Sequence, residues 1–219
     1  MAPPLGHHPV GASTGYMVDN RGDWPRLLEE ASRVSSFAVE LTALSEDELP
    51  GLLRFLDDAP ALPFRYVSVH GPSKARRMPE AELATLLAGL PVFVKAIVLH
   101  PDQIKDPAPY RVLGSRLVIE NMDSRKRAGQ TGDDLATLFS ALPEAGFCFD
   151  VAHAWTVDPT MEAGGELLDR FAGRLRHVHL SSMSAELSHV PLSLEQEELF
   201  APLLYRCSDV PWILEAEPR

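Results

Sequence analysis

A closed α/β barrel of eight strands is the architecture this sequence predicts, and three observations predict it. Short apolar runs alternate with segments of helical apolar spacing, an order that gives parallel strands joined by helical crossovers. Six of the runs end on a histidine or a carboxylate: Arg65–Val69 at His70, Lys95–Leu99 at His100, Arg116–Ile119 at Glu120, Phe147–Val151 at Asp150, Leu175–Val178 at His179 and Pro211–Leu214 at Glu215. The first strand-to-helix turn has no Gly-rich phosphate loop, so an open sheet with its ligand at one switch point leaves the other strand ends unexplained. A closed (β/α)8 barrel gathers all the carboxy-terminal ends at one mouth. The whole chain, 1–219, is read as one such domain with short loops.

Taken in order, Gly11–Met17 is a weak first strand. Trp24, Leu27, Leu28, Ala31 and Val34 fall at helical spacing behind a capping Asp23, which predicts a helix over Trp24–Phe37. Ala38–Leu41 is a strand that contains Glu40. Ser45-Glu46-Asp47-Glu48 reads as a capping box opening the next helix, with Leu49, Leu52, Leu53 and Leu56 as its buried stripe. Pro79 starts a helix through Leu90, acidic in its first turn as the helix dipole favours. Only a short helical turn, Ala108–Leu113, fits between His100 and Glu120. Thr131-Gly132-Asp133-Asp134 leads into a helix carrying Leu135, Leu138, Phe139 and Leu142. Met161–Ala172 and Glu195–Tyr205 supply two more, and the last strand ends the chain almost at once, so the eighth helix is expected to be missing or truncated.

Composition bounds the partners. A hydrophobic content of 45% can fill a core, and the net charge of −11 disfavours a nucleic-acid duplex as the partner of the body as a whole. Cys148 and Cys207 are the two cysteines, too few and too far apart in sequence for a disulfide framework or zinc knuckle. Cys148 shares strand parity with Asp150 and reads as filler. Without a long uncharged apolar segment, and with a Pro- and His-rich start over Met1–Val10, the expectation is a cytoplasmic protein with no membrane partner. Bases follow the strand ends: Lys74, Arg76 and Arg77 after His70, Lys105 after His100, and Arg125, Lys126 and Arg127 after Glu120. Lys74, Arg76, Lys105 and Arg125 are therefore candidates for binding a small anionic or sugar-like substrate such as a phosphate ester.

The converging side chains are His70, His100, His153, His179 and His189 with Glu120, Asp150 and Glu215. This nitrogen and oxygen set suits zinc above all, or manganese or iron, better than calcium or magnesium. Eight donors exceed the needs of one tetrahedral ion, which implies two or more divalent metals.

The strand-end segments Val67-Ser68-Val69-His70, Val98-Leu99-His100-Pro101, Val118-Ile119-Glu120-Asn121, Asp150-Val151-Ala152-His153, His177-Val178-His179-Leu180, His189-Val190-Pro191-Leu192 and Ile213-Leu214-Glu215 resemble, in order, those of the xylose-isomerase-like TIM barrels, and of the endonuclease IV type in particular. The resemblance implies that His70, His100 and Glu120 hold one metal, and that a bridging Glu120 joins Asp150, His179 and Glu215 on a second. His153 and His189 match two ligands of a third, but Leu187 stands where its aspartate is expected. His177 is inward by parity, one layer deeper than His179, behind the ligands or in packing.

Two enzymatic readings follow, with Glu120, Glu215 and His153 as the residues expected to carry the chemistry. The first is a multi-metal hydrolase of a phosphoester, endonuclease IV-like in its centre but acting on a small substrate. The alternative is a single-metal isomerase or epimerase of a sugar or sugar phosphate, in which Glu120 and Glu215 exchange a proton with a ketose. Leu180-Ser181-Ser182-Met183 after His179 offers no counterpart of the substrate-binding arginine of the sugar epimerases. A third reading is a non-catalytic binder of metal or ligand.

Overall fold

The computed structural model describes residues 8–59, 61–74 and 76–218. Eight parallel strands close on themselves: β1 (Val10–Ser13), β2 (Ala38–Thr42), β3 (Tyr66–His70), β4 (Ala96–Leu99), β5 (Leu117–Glu120), β6 (Gly146–Asp150), β7 (Leu175–Leu180) and, after the short hairpin β8 (Ser182–Met183) and β9 (His189–Val190), β10 (Trp212–Leu214). Each barrel strand pairs with the next, and β10 pairs with β1 to complete the ring. Around the ring lie α1 (Trp24–Val34), α2 (Leu49–Asp58), α3 (Glu80–Ala88), α4 (Gly132–Ala141), α5 (Val151–Val157), α6 (Glu162–Phe171) and α7 (Leu194–Tyr205). Beyond β10 the described residues form no further helix, and none of their helices is long and apolar enough to cross a membrane.

Two cores follow from this geometry. The larger fills the space between strands and helices, with Leu27, Leu52, Leu87, Phe139, Phe147, Phe171, Phe200 and Trp212 among its members. Trp212 is buried there, its indole Nε1 donating to the Cys207 carbonyl at 3.0 Å. The smaller core lies inside the ring, where Ala96, Val98, Val118 and Cys148 pack together beside Tyr66. Small side chains fill this lower interior. Toward the carboxy-terminal ends of the strands the buried residues include His70, Glu120, Asp150 and His179, and that change of composition puts the chemistry there.

Several boundaries differ from the sequence expectation for local physical reasons. The first strand stops at Ser13, whose hydroxyl caps a 3-10 turn over Thr14–Tyr16. Helix α2 begins at Leu49, after the expected capping box: Glu48 turns back instead, accepting from the Leu44 amide and the Ser45 hydroxyl. The segment Ala108–Arg116 is 3-10 turn broken at Gly114, whose backbone (φ 55°, ψ −136°) is not helical. Val151 is the first residue of α5 and not the last of a strand, because the Asp150 side chain caps the helix at that point. The hairpin β8–β9 was not expected, and residues 1–7 of the Pro- and His-rich opening lie outside the described residues.

Gly11 marks a place where the ring admits no side chain. A Cβ there would lie 2.6 Å from that of Ala38, its partner across β1 and β2. Gly11→Ala should therefore destabilise the fold by about 1–3 kcal/mol, as overpacking does in well-filled cores. Urea unfolding checks this; an unchanged midpoint would show that the two strands can part without cost.

Candidate metal centre

The strand ends place the donors, and local backbone chemistry aims them. His70 and Glu120 are the last residues of β3 and β5; His100 follows β4 and leads into a 3-10 turn begun by Pro101. Asp150 ends β6 and caps α5, its Oδ1 accepting from the His153 amide at 2.7 Å, which lifts His153 onto the rim one helical turn later. Asn121 stitches β5 to β6: its side chain accepts from the Asp150 amide and donates to the Asp150 carbonyl, both at 2.8 Å. The Asn121 carbonyl accepts from His153 Nδ1 at 2.9 Å. His179 lies in β7, Glu215 just past β10, and His189 on the β8–β9 hairpin with Nδ1 2.7 Å from Ser181 Oγ.

Glu120 stands between two donor sets. Its Oε2 lies 3.3 Å from His70 Nε2 and 3.2 Å from His100 Nε2, and the two imidazole nitrogens are 3.1 Å apart. His70 Nδ1 faces the Gly71 carbonyl at 2.8 Å and must donate to it, so the neutral ring presents an electron pair at Nε2. Two imidazole nitrogens and a carboxylate oxygen at these distances repel one another unless a proton or a cation lies among them. The other oxygen, Oε1, lies 3.0 Å from His179 Nδ1, which is also 3.4 Å from Glu215 Oε1.

Three groups at the mouth bring one donor atom per residue within 4.8 Å of one another: His70 with His100 and Glu120; Glu120 with Asp150, His179 and Glu215; and Asp150 with His153 and His189. Asp150 Oδ2 and Glu215 Oε2 are buried without a hydrogen-bond partner. Such oxygens are costly to leave unpaired. A divalent cation fits this donor set, and the imidazole–carboxylate mixture is the kind that zinc, manganese or iron accept.

The electrostatics show the same crowding. Burial would raise Glu120, but His179 and His100 outweigh it and hold its carboxyl well below the usual range. Glu215 goes the other way: burial raises it well above that range, with Asp150, Glu120 and Glu40 adding to the rise and His179 opposing it. Burial lowers His179, but Cys148, Glu215, Glu40 and Glu120 together raise it well above an ordinary imidazole. His189 falls to about 4 through burial. His70 is raised, Glu120 overcoming its burial, whereas burial prevails at His100 and lowers it.

The expected basic collar is partly tied up. Arg76 Nε donates to Glu46 at 2.9 Å, and Glu46 also accepts from the Arg77 and Met78 amides, which fastens the loop after β3 to that after β2. Arg125 forks onto the buried Asp123 with two contacts of 2.9 Å, and Lys126 pairs with Asp102. Lys74 and Lys105 are exposed.

Glu40 is the site residue the sequence reading passed over. It is fully buried, accepts from Ser68 Oγ at 2.9 Å, and lies 3.2 Å from His179 Nε2 and 3.5 Å from His177 Nε2. His177 in turn contacts the Tyr66 hydroxyl through Nδ1 at 2.8 Å. A carboxylate in the middle of an otherwise apolar strand was the one available signal.

Residues 105–201, which carry five of the eight expected donors, match a family described as xylose isomerase-like TIM barrel. A solved structure of D-psicose 3-epimerase in the presence of D-fructose superposes with a TM-score of 0.54 at 13% identity, over 94% of this chain and 84% of that one. The fold is that of a (β/α)8 TIM barrel, and its segment 105–201 is similar to the xylose isomerase-like family. The five donors inside the matched segment are Glu120, Asp150, His153, His179 and His189; His70, His100 and Glu215 lie outside it. A search of curated protein sequences found no match.

Burial would raise Glu40, but His179, His177 and His70 together hold it at about 2, against 4.5 for an ordinary glutamate. Because the folded value is the lower, the stabilisation is present above 4.5 and is lost as the pH falls toward 2. In metal-free protein, the excess urea midpoint of the wild type over Glu40→Gln should shrink across that acid window. An excess that stays constant down to the acid limit would contradict the ionised, buried Glu40.

Proposed function

We propose that this barrel is a divalent-metal-dependent hydrolase of a small phosphoester, built on a two-ion centre bridged by Glu120. The observation that carries this reading is the division of labour within one carboxylate: Oε2 faces His70 and His100, and Oε1 faces His179. Bound at such a centre, divalent cations, zinc foremost and manganese or iron as alternatives, supply an acidified water and stabilisation of the departing oxygen. His70 and His100 complete one half; Asp150, His179 and Glu215 complete the other.

The oxygen of Glu215 that does not face His179, together with groups at the rim, acts on substrate. Glu215 Oε2, unpartnered and 3.4 Å from His189 Nδ1, is placed to take the proton of the attacking water. His153, with Nδ1 engaged by the Asn121 carbonyl and Nε2 3.9 Å from Asp123 Oδ2, serves as a donor to a phosphate oxygen or as a further ligand. Lys74, Lys105 and the outer edge of Arg125 are the bases that meet the anion, while Arg76 holds the loop that presents Lys74. The net charge of −11 favours a small phosphoester over a duplex.

A second reading has one observation of its own. Glu120 and Glu215 flank His179 Nδ1 at 3.0 and 3.4 Å with affinities for a proton displaced in opposite directions, the pairing a base and an acid need to move a proton between adjacent carbons of a sugar. The likeness to D-psicose 3-epimerase accords with it. That reading leaves the His70–His100 half without a task, and so the hydrolase stands first.

Protein purified without chelator should contain two or more ions per chain and hydrolyse bis(p-nitrophenyl) phosphate. His70→Ala and His100→Ala should each lower that rate on the order of 100-fold or more, the scale seen when a group stabilising transition-state charge is removed. One ion per chain, full tolerance of both substitutions, and deuterium uptake from heavy water into ketoses would instead establish the proton-transfer reading.

A further inference from the structure

The side chains beneath the mouth form a chain of contacts that none of the donor roles above uses. Tyr66 Oη meets His177 Nδ1 at 2.8 Å, His177 Nε2 faces Glu40 at 3.5 Å, Ser68 Oγ donates to Glu40 Oε2 at 2.9 Å, and His179 Nε2 lies 3.2 and 3.3 Å from the two Glu40 oxygens. Glu40, His177 and His179 are fully buried, so water does not compete for these atoms. A carboxylate accepts only. The His179 nitrogen that faces it must therefore carry a proton; the ring's other nitrogen faces Glu120 and Glu215, where either a proton or a bound cation must stand between it and the carboxylates.

We propose that Glu40 is a positioning residue for His179: from inside the barrel it holds the Nε2 proton, so that Nδ1 is the nitrogen left to bind a cation entering the Glu120–Asp150–Glu215 cluster. Three features of the fold make the arrangement stiff. Glu40 lies in the middle of β2, where Cα register pairs it with Ser68 on β3 and Ser13 on β1. The Ser68 hydroxyl orients the carboxylate, and His177 blocks its other approach. Across the ring, His179 is fixed by pairing with both Asp150 on β6 and Ile213 on β10. A carboxylate behind a metal-binding imidazole fixes its tautomer and raises its basicity, and losing such a partner typically weakens metal binding 10- to 100-fold. What Nδ1 is presented to rests on the metal-centre reading; the Glu40–His179 hydrogen bond does not.

The test separates the two. In 15N-labelled, metal-free protein the His179 Nε2 proton should resonate far downfield and exchange slowly, and in Glu40→Gln it should move upfield. In zinc titrations followed by calorimetry, Glu40→Gln should weaken one ion about 10- to 100-fold and leave the ion at His70 and His100 unchanged. If Glu40→Gln does not fold, Ser68→Ala, which only loosens the carboxylate, should shift both readouts in the same direction by a smaller factor. Wild-type affinity for both ions in a folded Glu40→Gln protein would overturn the proposal. So would a thiolate-to-cobalt absorption band in the Co(II)-loaded protein that Cys148→Ser removes, because Cys148, His177 and His179 would then themselves be holding an ion. A chain that takes up no zinc but keeps the downfield proton would refute the metal-centre reading and still support the grip of Glu40 on His179.

Discussion

Glu120 reaches from the end of β5 into the centre of the barrel mouth, where its two oxygens face two different sets of imidazoles. At 1% exposure, with His70, His100 and His179 all within 3.3 Å, it lies in a low-dielectric space where like groups cannot simply be left side by side. Something positively charged has to hold the cluster together, whether protons or metal ions. The rest of the mouth is arranged around that requirement. Asn121 locks the end of β5 to that of β6, the Gly71 and Asn121 carbonyls orient His70 and His153, and Asp150 ends a strand and starts a helix in one residue.

The barrel makes this crowding affordable. Its lower interior is filled by Ala96, Val98, Val118 and Cys148, small enough to let eight short strands close, and its outer wall buries the large aromatic residues against the helices. Apolar burial distributed around the ring offsets the cost of a polar cluster confined to one end. The division also explains how donors far apart in the chain meet: a closed parallel sheet delivers His70, His100, Glu120, Asp150, His179 and Glu215 at the strand ends to one rim, and only His153 on α5 and His189 on the β8–β9 hairpin come from outside the ring.

Much of this was legible in the sequence, for a reason that can be named. A buried parallel strand is a nearly unbroken apolar run, so a histidine or carboxylate that closes it stands out, as His70, His100, Glu120 and Asp150 do. Where the signal is different, the reading fails. Glu40 sits inside its strand, flanked by Val39 and Leu41, and although a carboxylate there is a signal, its partners His177 and His179 lie across the ring and are set by tertiary contact. The α5 helix was hidden because Val151-Ala152 continues the apolar run of β6; only the capping contact of Asp150 with the His153 amide reveals the switch. The β8–β9 hairpin has two residues per strand, below the length at which alternation can be read. The bases after the strands were visible as charges, but their partners, Glu46 for Arg76 and Asp123 for Arg125, are set by tertiary contact.

Anomalous diffraction from zinc-loaded crystals, collected on both sides of the zinc edge, tests the central claim most directly. The account predicts two peaks flanking the Glu120 carboxylate, one within bonding distance of His70 and His100 and the other of Asp150, His179 and Glu215. A single peak on the His179 side, with His70 and His100 left hydrogen-bonded to Glu120, would contradict it.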